Sequence, residues 1–496
     1  MAGFMSSDPA AIPASERALD GTLRAAYAWL LREAGPASLF CVATALGLLM
    51  LPHQLLLDGW LTLVTGREVV SNGLPTIDTL TLWTHGAEWI DQQWLAQAAF
   101  YGLWVLGGIK LVMLGHAAVV AITLAAALLA ARRLGGSPRN VARAGTAALL
   151  VAPWAIQMRT QTLVMPLFVA LLWLLAADSR TPSRRVFLVF PLLVLWANLH
   201  GTVVFAALFV ALRGVTYFVS EVSRRPPGWL LRSLALTLVP FACVLASPYG
   251  VDLVGYYRSL FFNPAMREIA PEWAASTPAV WTVAFYLVAG GSLWLLARRR
   301  SRLTLFEQAA LLAAIVAGAA AVRSLMWFGL AAMLLVPRLL DEKPARPAPG
   351  RAVRLGLAAA VATAFLWSAV VVSQPPSWYT SSWPAAAADR VGAIAAQRPG
   401  ATIFSDGRFA SWLLWLQPEL AGRVSHDVRW ELYTEEQLQA VIQLDDHSGD
   451  WRRTVAGYDL LVFDNVTHPA VVEDFRADRR YRTVWNDDSL VVFARR

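Results

Sequence analysis

The chain has 496 residues, of which 57% are hydrophobic and only 15% charged, with 22 tryptophans and a formal net charge of +8. That balance excludes an ordinary soluble enzyme and points to a polytopic α-helical membrane protein. The positive charge does not call for a nucleic-acid partner: from Pro375 onward 13 Lys+Arg face 17 Asp+Glu, so the basic excess belongs to short loops between apolar runs.

In chain order, residues 1–37 read as a cytoplasmic leader carrying Arg17, Arg24 and Arg32, because a cleavable signal would put its apolar core nearer the start. Eleven apolar runs then approach the roughly 20 residues a membrane helix needs. They are 38–57, 109–131, 144–158, 162–178, 186–199, 202–221, 233–247, 279–297, 303–322, 324–340 and 355–374. Cys41 and Cys243 fall inside two of them, which implies no disulfide framework. An odd count places the termini on opposite sides. Alternate loops from residue 1 onward hold 21 Lys+Arg, whereas the other set holds six, Arg67, Lys110, Arg159, Arg258, Arg267 and Arg323. The positive-inside rule therefore puts the N-terminus in the cytoplasm and the C-terminus outside the cell (inner) membrane.

Two outer loops are long, 58–108 and 248–278. Within the first, "REVVSNGLPTID" suggests a short helix closed by Asn72-Gly73 and a turn at Pro75, and the aromatic stretch 94–105 suggests an interfacial helix. Beyond the transmembrane domain of 38–374, residues 375–496 read as a small extracytoplasmic α/β domain. Its expected strands are 401–406, 459–465 and a hairpin over 481–496 turning at Asp487-Asp488, and its expected helices are 384–397 and 434–444.

Polar residues not explained by solvated loops share the outer side. Asp58 follows the first run, and Asp91, Gln92 and Gln93 lie in the first loop. Arg159 with Gln161, Asn198 with His200, and Arg323 occupy short joins between spans, while Tyr249, Glu268 and Glu272 lie in the second loop. Charges so near the bilayer are costly unless they share a polar cavity. Such a set suits transfer of a sugar from a lipid phosphate. Asp58, with Asp91 as a second candidate, would serve as base for an acceptor hydroxyl, and Arg159, His200 and Arg323 would clamp the leaving phosphate. Trp60, Trp89, Trp94 and Trp273 would either stack on sugar faces or serve as interfacial anchors. Each residue also has a structural reading: Asp58 as a helix cap, the arginines snorkelling to headgroups, Asp427 and Arg429 as an internal ion pair. No zinc spacing, P-loop or dinucleotide fingerprint is present, and a divalent metal is left open.

The segments that carry these residues also carry a resemblance. "DGWLTLVTGRE" from Asp58, "NGLPTIDT" from Asn72, "WIDQQWL" from Trp89, "RTQ" from Arg159, "WANLHG" from Trp196, "SPYG" from Ser247, "PEW" from Pro271 and "HDVRWELY" from His426 resemble a large group of bacterial multi-spanning proteins. That group is similar in layout to the GT-C class of polyprenyl-phosphate-sugar-dependent glycosyltransferases, and the resemblance covers roughly 50–340 and 384–496. It implies a catalytic acid in the first outer loop directly after the first span, where Asp58 stands. Many members carry a pair of acids there, and Gly59 with Trp60 departs from that pattern, which counts against a paired-carboxylate metal motif. The expected partners are a polyprenyl-phosphate-linked sugar, membrane lipid and a cell-envelope glycan, lipid or protein acceptor. The rival readings are a transporter for a lipid-linked intermediate and a non-catalytic membrane scaffold or binding protein.

Overall fold

The computed structural model describes residues 24–262, 265–341 and 350–496, so residues 1–23 of the expected leader lie outside the described residues. Every run expected to span contains a helix. In chain order the labelled helices are α1 (Ala34–Leu49), α2 (Leu57–Asn72), α3 (Trp94–Arg133), α4 (Pro138–Leu149), α5 (Met165–Arg180), α6 (Val189–Leu199), α7 (Val203–Glu221), α8 (Trp229–Val244), α9 (Leu253–Phe262), α10 (Val283–Arg299), α11 (Leu305–Ala320), α12 (Leu325–Leu340) and α13 (Arg351–Ser373). Five helical stretches among the described residues are long and apolar enough to cross a membrane: Trp94–Arg133, Thr160–Arg180, Val203–Glu221, Val322–Leu340 and Arg351–Ser373. Others, such as α1, α8 and α11, are apolar but shorter. This is the architecture of a multi-pass helical membrane protein.

The bundle core is aromatic. Phe168, Trp196 and Trp327 are buried together, with ring centroids 5.0 Å apart for Phe168–Trp327 and 5.7 Å for Trp196–Trp327. Towards the ends of these helices that the charge rule assigns to the cytoplasm, buried carboxylates meet arginines: Asp178 with Arg213 at 2.9 Å, and Glu307 with Arg338 at 3.6 Å. A carboxylate removed from water keeps its charge only with such partners.

The C-terminal part carries α14 (Ala385–Gln397), β1 (Ile403–Ser405), α15 (Gly407–Leu416), α16 (Glu435–Asp445), β2 (Leu460–Asp464), α17 (Pro469–Ala477), β3 (Tyr481–Asn486) and β4 (Leu490–Arg495). The sheet order is β1-β2-β4-β3, with β1 parallel to β2 and the other pairs antiparallel. All residues of β1 and β2 are buried, so both faces of these strands are covered. This part is seated on α2 and the first long loop. Trp60 packs edge-on against Trp383, the Arg67 guanidinium donates to the carbonyls of Leu414 and Trp415 at 2.7 and 3.2 Å, and Thr81 bridges Val424.

Three expectations change. The loop helix expected from Arg67 starts at Leu57, so Asp58 lies in its first turn; Leu56 is the N-cap and makes no side-chain bond, which removes the capping role for Asp58. The interfacial helix expected over 94–105 is the first part of α3, which breaks at Gly107 (φ −159°) and Gly108 (φ +63°) before the membrane-length part begins. Gly108 takes a left-handed φ that only glycine adopts cheaply, and the break falls at the boundary drawn from sequence between the loop ending at 108 and the run 109–131. Helices α15 and α17, each of ten residues or fewer, lie between strands and were not expected as helices.

Candidate active site

Helix α2 follows directly after Leu56, and its first turn lies against Met158. A Cβ on Gly59 would stand 2.7 Å from Leu55 Cδ1 and 2.8 Å from Met158 Sδ, so glycine is what allows this approach. The backbone N–H of Met158 donates to Gln54 O at 2.8 Å and fixes the segment in register. Arg159 is the next residue. Its Nε lies 2.9 Å from Asp58 Oδ2, while Nη1 donates to Glu272 Oε2 at 2.7 Å and Nη2 to Gln157 Oε1 at 3.0 Å. Arg323 Nη1 is 3.9 Å from the other Glu272 oxygen, and its guanidinium lies 3.9 Å above the Trp273 ring. Residues far apart in sequence thus form one quartet, Asp58–Arg159–Glu272–Arg323.

Burial pushes the Asp58 carboxyl above the ordinary carboxylate range, against the pull of Arg159. Burial acts on Glu272 in the same direction, but Arg159 and Arg323 outweigh it and hold Glu272 below the usual range. The two carboxylates differ for a physical reason: Glu272 has an arginine at each oxygen, Asp58 at one.

The quartet forms one end of a cavity of about 790 Å³. Its floor is built where chains enter helices: Leu57-Asp58 at α2, Thr160-Gln161 ahead of α5, Gly201-Thr202 ahead of α7, and Arg323-Ser324 ahead of α12. None of these four N-termini has a side-chain cap. The positive ends of the helix dipoles therefore gather around one space, a favourable setting for an anion.

The roof is the C-terminal part. Arg429 is fully buried, 2.8 Å from Asp427 and 2.9 Å from Asp78 of the first loop, with its guanidinium 4.4 Å over Trp89. It ties loop and roof together. Next to it Glu431 lines the cavity, pushed up to about 7 by burial, and Asp91 on the floor is likewise pushed up to about 7. Further along, His468 is held between Asp406 at 2.8 Å and Asp445 at 2.9 Å; burial alone would depress it, but the two carboxylates raise it to about 10.

Of the residues selected from sequence, Asp58, Asp91, Arg159, Gln161, His200, Glu272 and Arg323 all line this cavity, as do Trp89 and Trp273. His200 is not the cation expected of it. Burial, reinforced by Arg323 and Arg159, lowers it to about 3, and its Nδ1 accepts the Thr202 N–H at 3.1 Å. It is a neutral imidazole with its proton on Nε2. The other selections lie elsewhere. Asn198 accepts from Trp94 Nε1 at 3.1 Å and donates to Ala246 O at 2.8 Å, which fixes both Asn198 and Trp94 as packing residues. The Tyr249 hydroxyl donates to Pro75 O at 2.9 Å, joining the two outer loops. Glu268 is exposed and accepts from Gln439 at 3.4 Å, and Trp60 is buried in the seam with Trp383 and Trp415. Sequence reading passed over Tyr256, Arg408, Glu431, Asp445 and His468, which also line the cavity. Glu431 stood within the "HDVRWELY" segment; the others carried no motif.

Fold and site together define a multi-pass helical membrane protein whose polar cavity opens at one end of the bundle beneath a small α/β unit. No family model and no curated protein matches the chain. Among solved structures it is similar to ArnT from Cupriavidus metallidurans. In the apo state the identity is 14%, covering 88% of this chain and 93% of that one, with a TM-score of 0.46. With undecaprenyl phosphate bound the identity is 15%, covering 92% and 97%, with a TM-score of 0.48. Similarity at this level assigns neither substrate nor residue roles to this chain.

Proposed function

We propose that the protein is a membrane glycosyltransferase that moves a sugar from a polyprenyl-phosphate donor to an acceptor at the outer leaflet, with inversion and with Asp58 as base. The observation that carries this reading is the quartet at the cavity floor: a carboxylate made more basic by burial, 2.9 Å from an arginine, among four uncapped helix N-termini. The sequence resemblance to the GT-C class agrees with it.

In the reaction the acceptor hydroxyl passes its proton to Asp58 as its oxygen attacks the anomeric carbon. The bond from that carbon to the phosphate oxygen breaks on the opposite side, and the lipid phosphate gains a negative charge. Arg323, Arg159 and the helix N-termini stabilise that charge, and the neutral His200 donates from Nε2. Asp58 with a raised proton affinity is a better base than an ordinary aspartate, provided the pH lies above its titration. The N-terminus lies in the cytoplasm, and residues 375–496 form the extracytoplasmic domain that roofs the site. Among the described residues no group of three or more His, Cys, Asp or Glu is placed to hold a metal ion. The positive charge of the quartet comes from arginine.

The test is turnover by the purified protein in nanodiscs with a panel of polyprenyl-phosphate sugars. Wild type consumes at least one donor, and Asp58→Asn slows it by about 100-fold to 10,000-fold, the range set by removing a general base. A variant that turns over at the wild-type rate removes Asp58 from the mechanism.

A further inference from the structure

Beside the quartet, buried polar atoms with no hydrogen-bond partner among the described residues line the cavity: Asp91 Oδ2, Gln92 Oε1, Gln97 Oε1, Gln161 Nε2 and Arg429 Nη1, besides atoms held in the Asp406–His468 and Arg429–Asp78 ion pairs. Leaving such atoms unpaired is unfavourable, so their concentration at one place needs an explanation. Their orientation is held from behind. The Gln92 amide nitrogen donates to Ala197 O at 2.9 Å, which turns its oxygen towards Gly201. A Cβ on Gly201 would come within 3.3 Å of that oxygen and 3.6 Å of the Tyr256 hydroxyl. Asp91 Oδ2 and Gln97 Oε1 are buried beside the same cavity without a partner of their own.

Three of these five atoms are acceptors and two are donors, so they call for a ligand that both donates and accepts. We infer that Asp91, Gln92, Gln97 and Gln161 form the subsite for the donor's sugar ring, and that this ring is neutral and bears free hydroxyls. The inference rests on the glycosyl-transfer reading and adds the substrate class. Hydroxyls would donate to the three acceptors, and one hydroxyl oxygen would accept from Gln161. A uronic acid is disfavoured, because Arg429, the guanidinium beside Glu431, already faces two carboxylates, Asp427 and Asp78, so that a further carboxylate would add to an excess of negative charge. The subsite belongs with the donor because it adjoins the quartet: the hydroxyl of Thr160, between Arg159 and Gln161, donates to Gln93 Oε1 next to Gln92, and all of these line one cavity.

The experiment measures binding to the full chain in nanodiscs, without turnover. The probes are undecaprenyl phosphate alone, its glucosyl, mannosyl and galactosyl phosphodiesters, and its glucuronosyl phosphodiester. At least one neutral hexose should tighten binding about ten-fold over the bare lipid phosphate, as expected when one or two buried groups gain partners, and glucuronate should not. Gln92→Leu and, independently, Gln97→Leu should both remove that gain and leave bare undecaprenyl phosphate binding unchanged. If the bare phosphate binds and no neutral hexose improves on it, or if glucuronate binds as well as the hexoses, the subsite is wrong while the glycosyltransferase reading stands. If undecaprenyl phosphate itself does not bind to the wild type, both fall.

Discussion

Gly59 occupies the position where the resemblance would place a second acidic residue. Its hydrogen lies where a Cβ would press on Leu55 and Met158, and this contact carries Arg159 to within 2.9 Å of Asp58. The same position that lacks a carboxylate is therefore the one that lets α2 approach the Met158–Arg159 segment. Gly59→Ala should cost about 1–3 kcal/mol through overpacking, seen as a lower melting temperature, and should reduce turnover more than it reduces donor binding. A variant of full stability and activity would show that the approach is not needed. Glu272 offers a prediction of opposite sign. The formal charges of the quartet sum to zero, so a phosphate competes with Glu272 for Arg159 and Arg323. Glu272→Gln should bind undecaprenyl phosphate several-fold more tightly, as expected from removing a like charge near the site. Weaker binding would mean that Glu272 positions the arginines rather than competing for them. Little of this was visible in the sequence. It supplied the acids and arginines, but not which carboxylate would face which guanidinium, because that depends on packing between residues about fifty to more than a hundred positions apart.

Elements were legible where their pattern is local. Apolar runs located the helices of the bundle, and short apolar, β-branched and aromatic runs bounded by turn residues located the strands over 403–405, 460–464, 481–486 and 490–495. The helices α15 and α17 were not legible, since short amphipathic stretches fit loops equally well. Helix α15 shows how the roof is held: Asp406, its N-cap, accepts from the Arg408 N–H at 2.8 Å and pairs with His468, which also reaches Asp445 at the end of α16. One imidazolium thus staples the segments that follow β1, α16 and β2. Its folded proton affinity is raised to about 10 from an ordinary 6.5, so its stabilisation is fully present below pH 6.5 and is lost as the pH rises towards 10. Thermal melts should fall across that window, and His468→Gln should be less stable at pH 6 yet show a flatter decline. Parallel declines for both proteins would place the pH sensitivity elsewhere.

At the scale of the whole molecule, the cavity is made by two parts that sequence reading treated separately. The bundle brings four uncapped helix N-termini to one end, and the unit of 375–496 closes over them through Arg429, Trp89 and the strand-like contact of Thr81 with Val424. Composition and charge asymmetry indicated a membrane protein with an acidic soluble end, yet nothing in them says that this end roofs the site, because docking is decided by surfaces rather than by periodicity. The roof also explains why Asp91 and Glu431 are as buried as they are and why both titrate near neutrality. The most direct test of the account is a cryo-electron microscopy map of the protein in nanodiscs with undecaprenyl phosphate bound. The account predicts phosphate oxygens about 3 Å from guanidinium nitrogens of Arg159 or Arg323, with the headgroup inside the cavity beneath residues 426–431. A headgroup held on the outer surface of the bundle, with the quartet unchanged and empty, would contradict it.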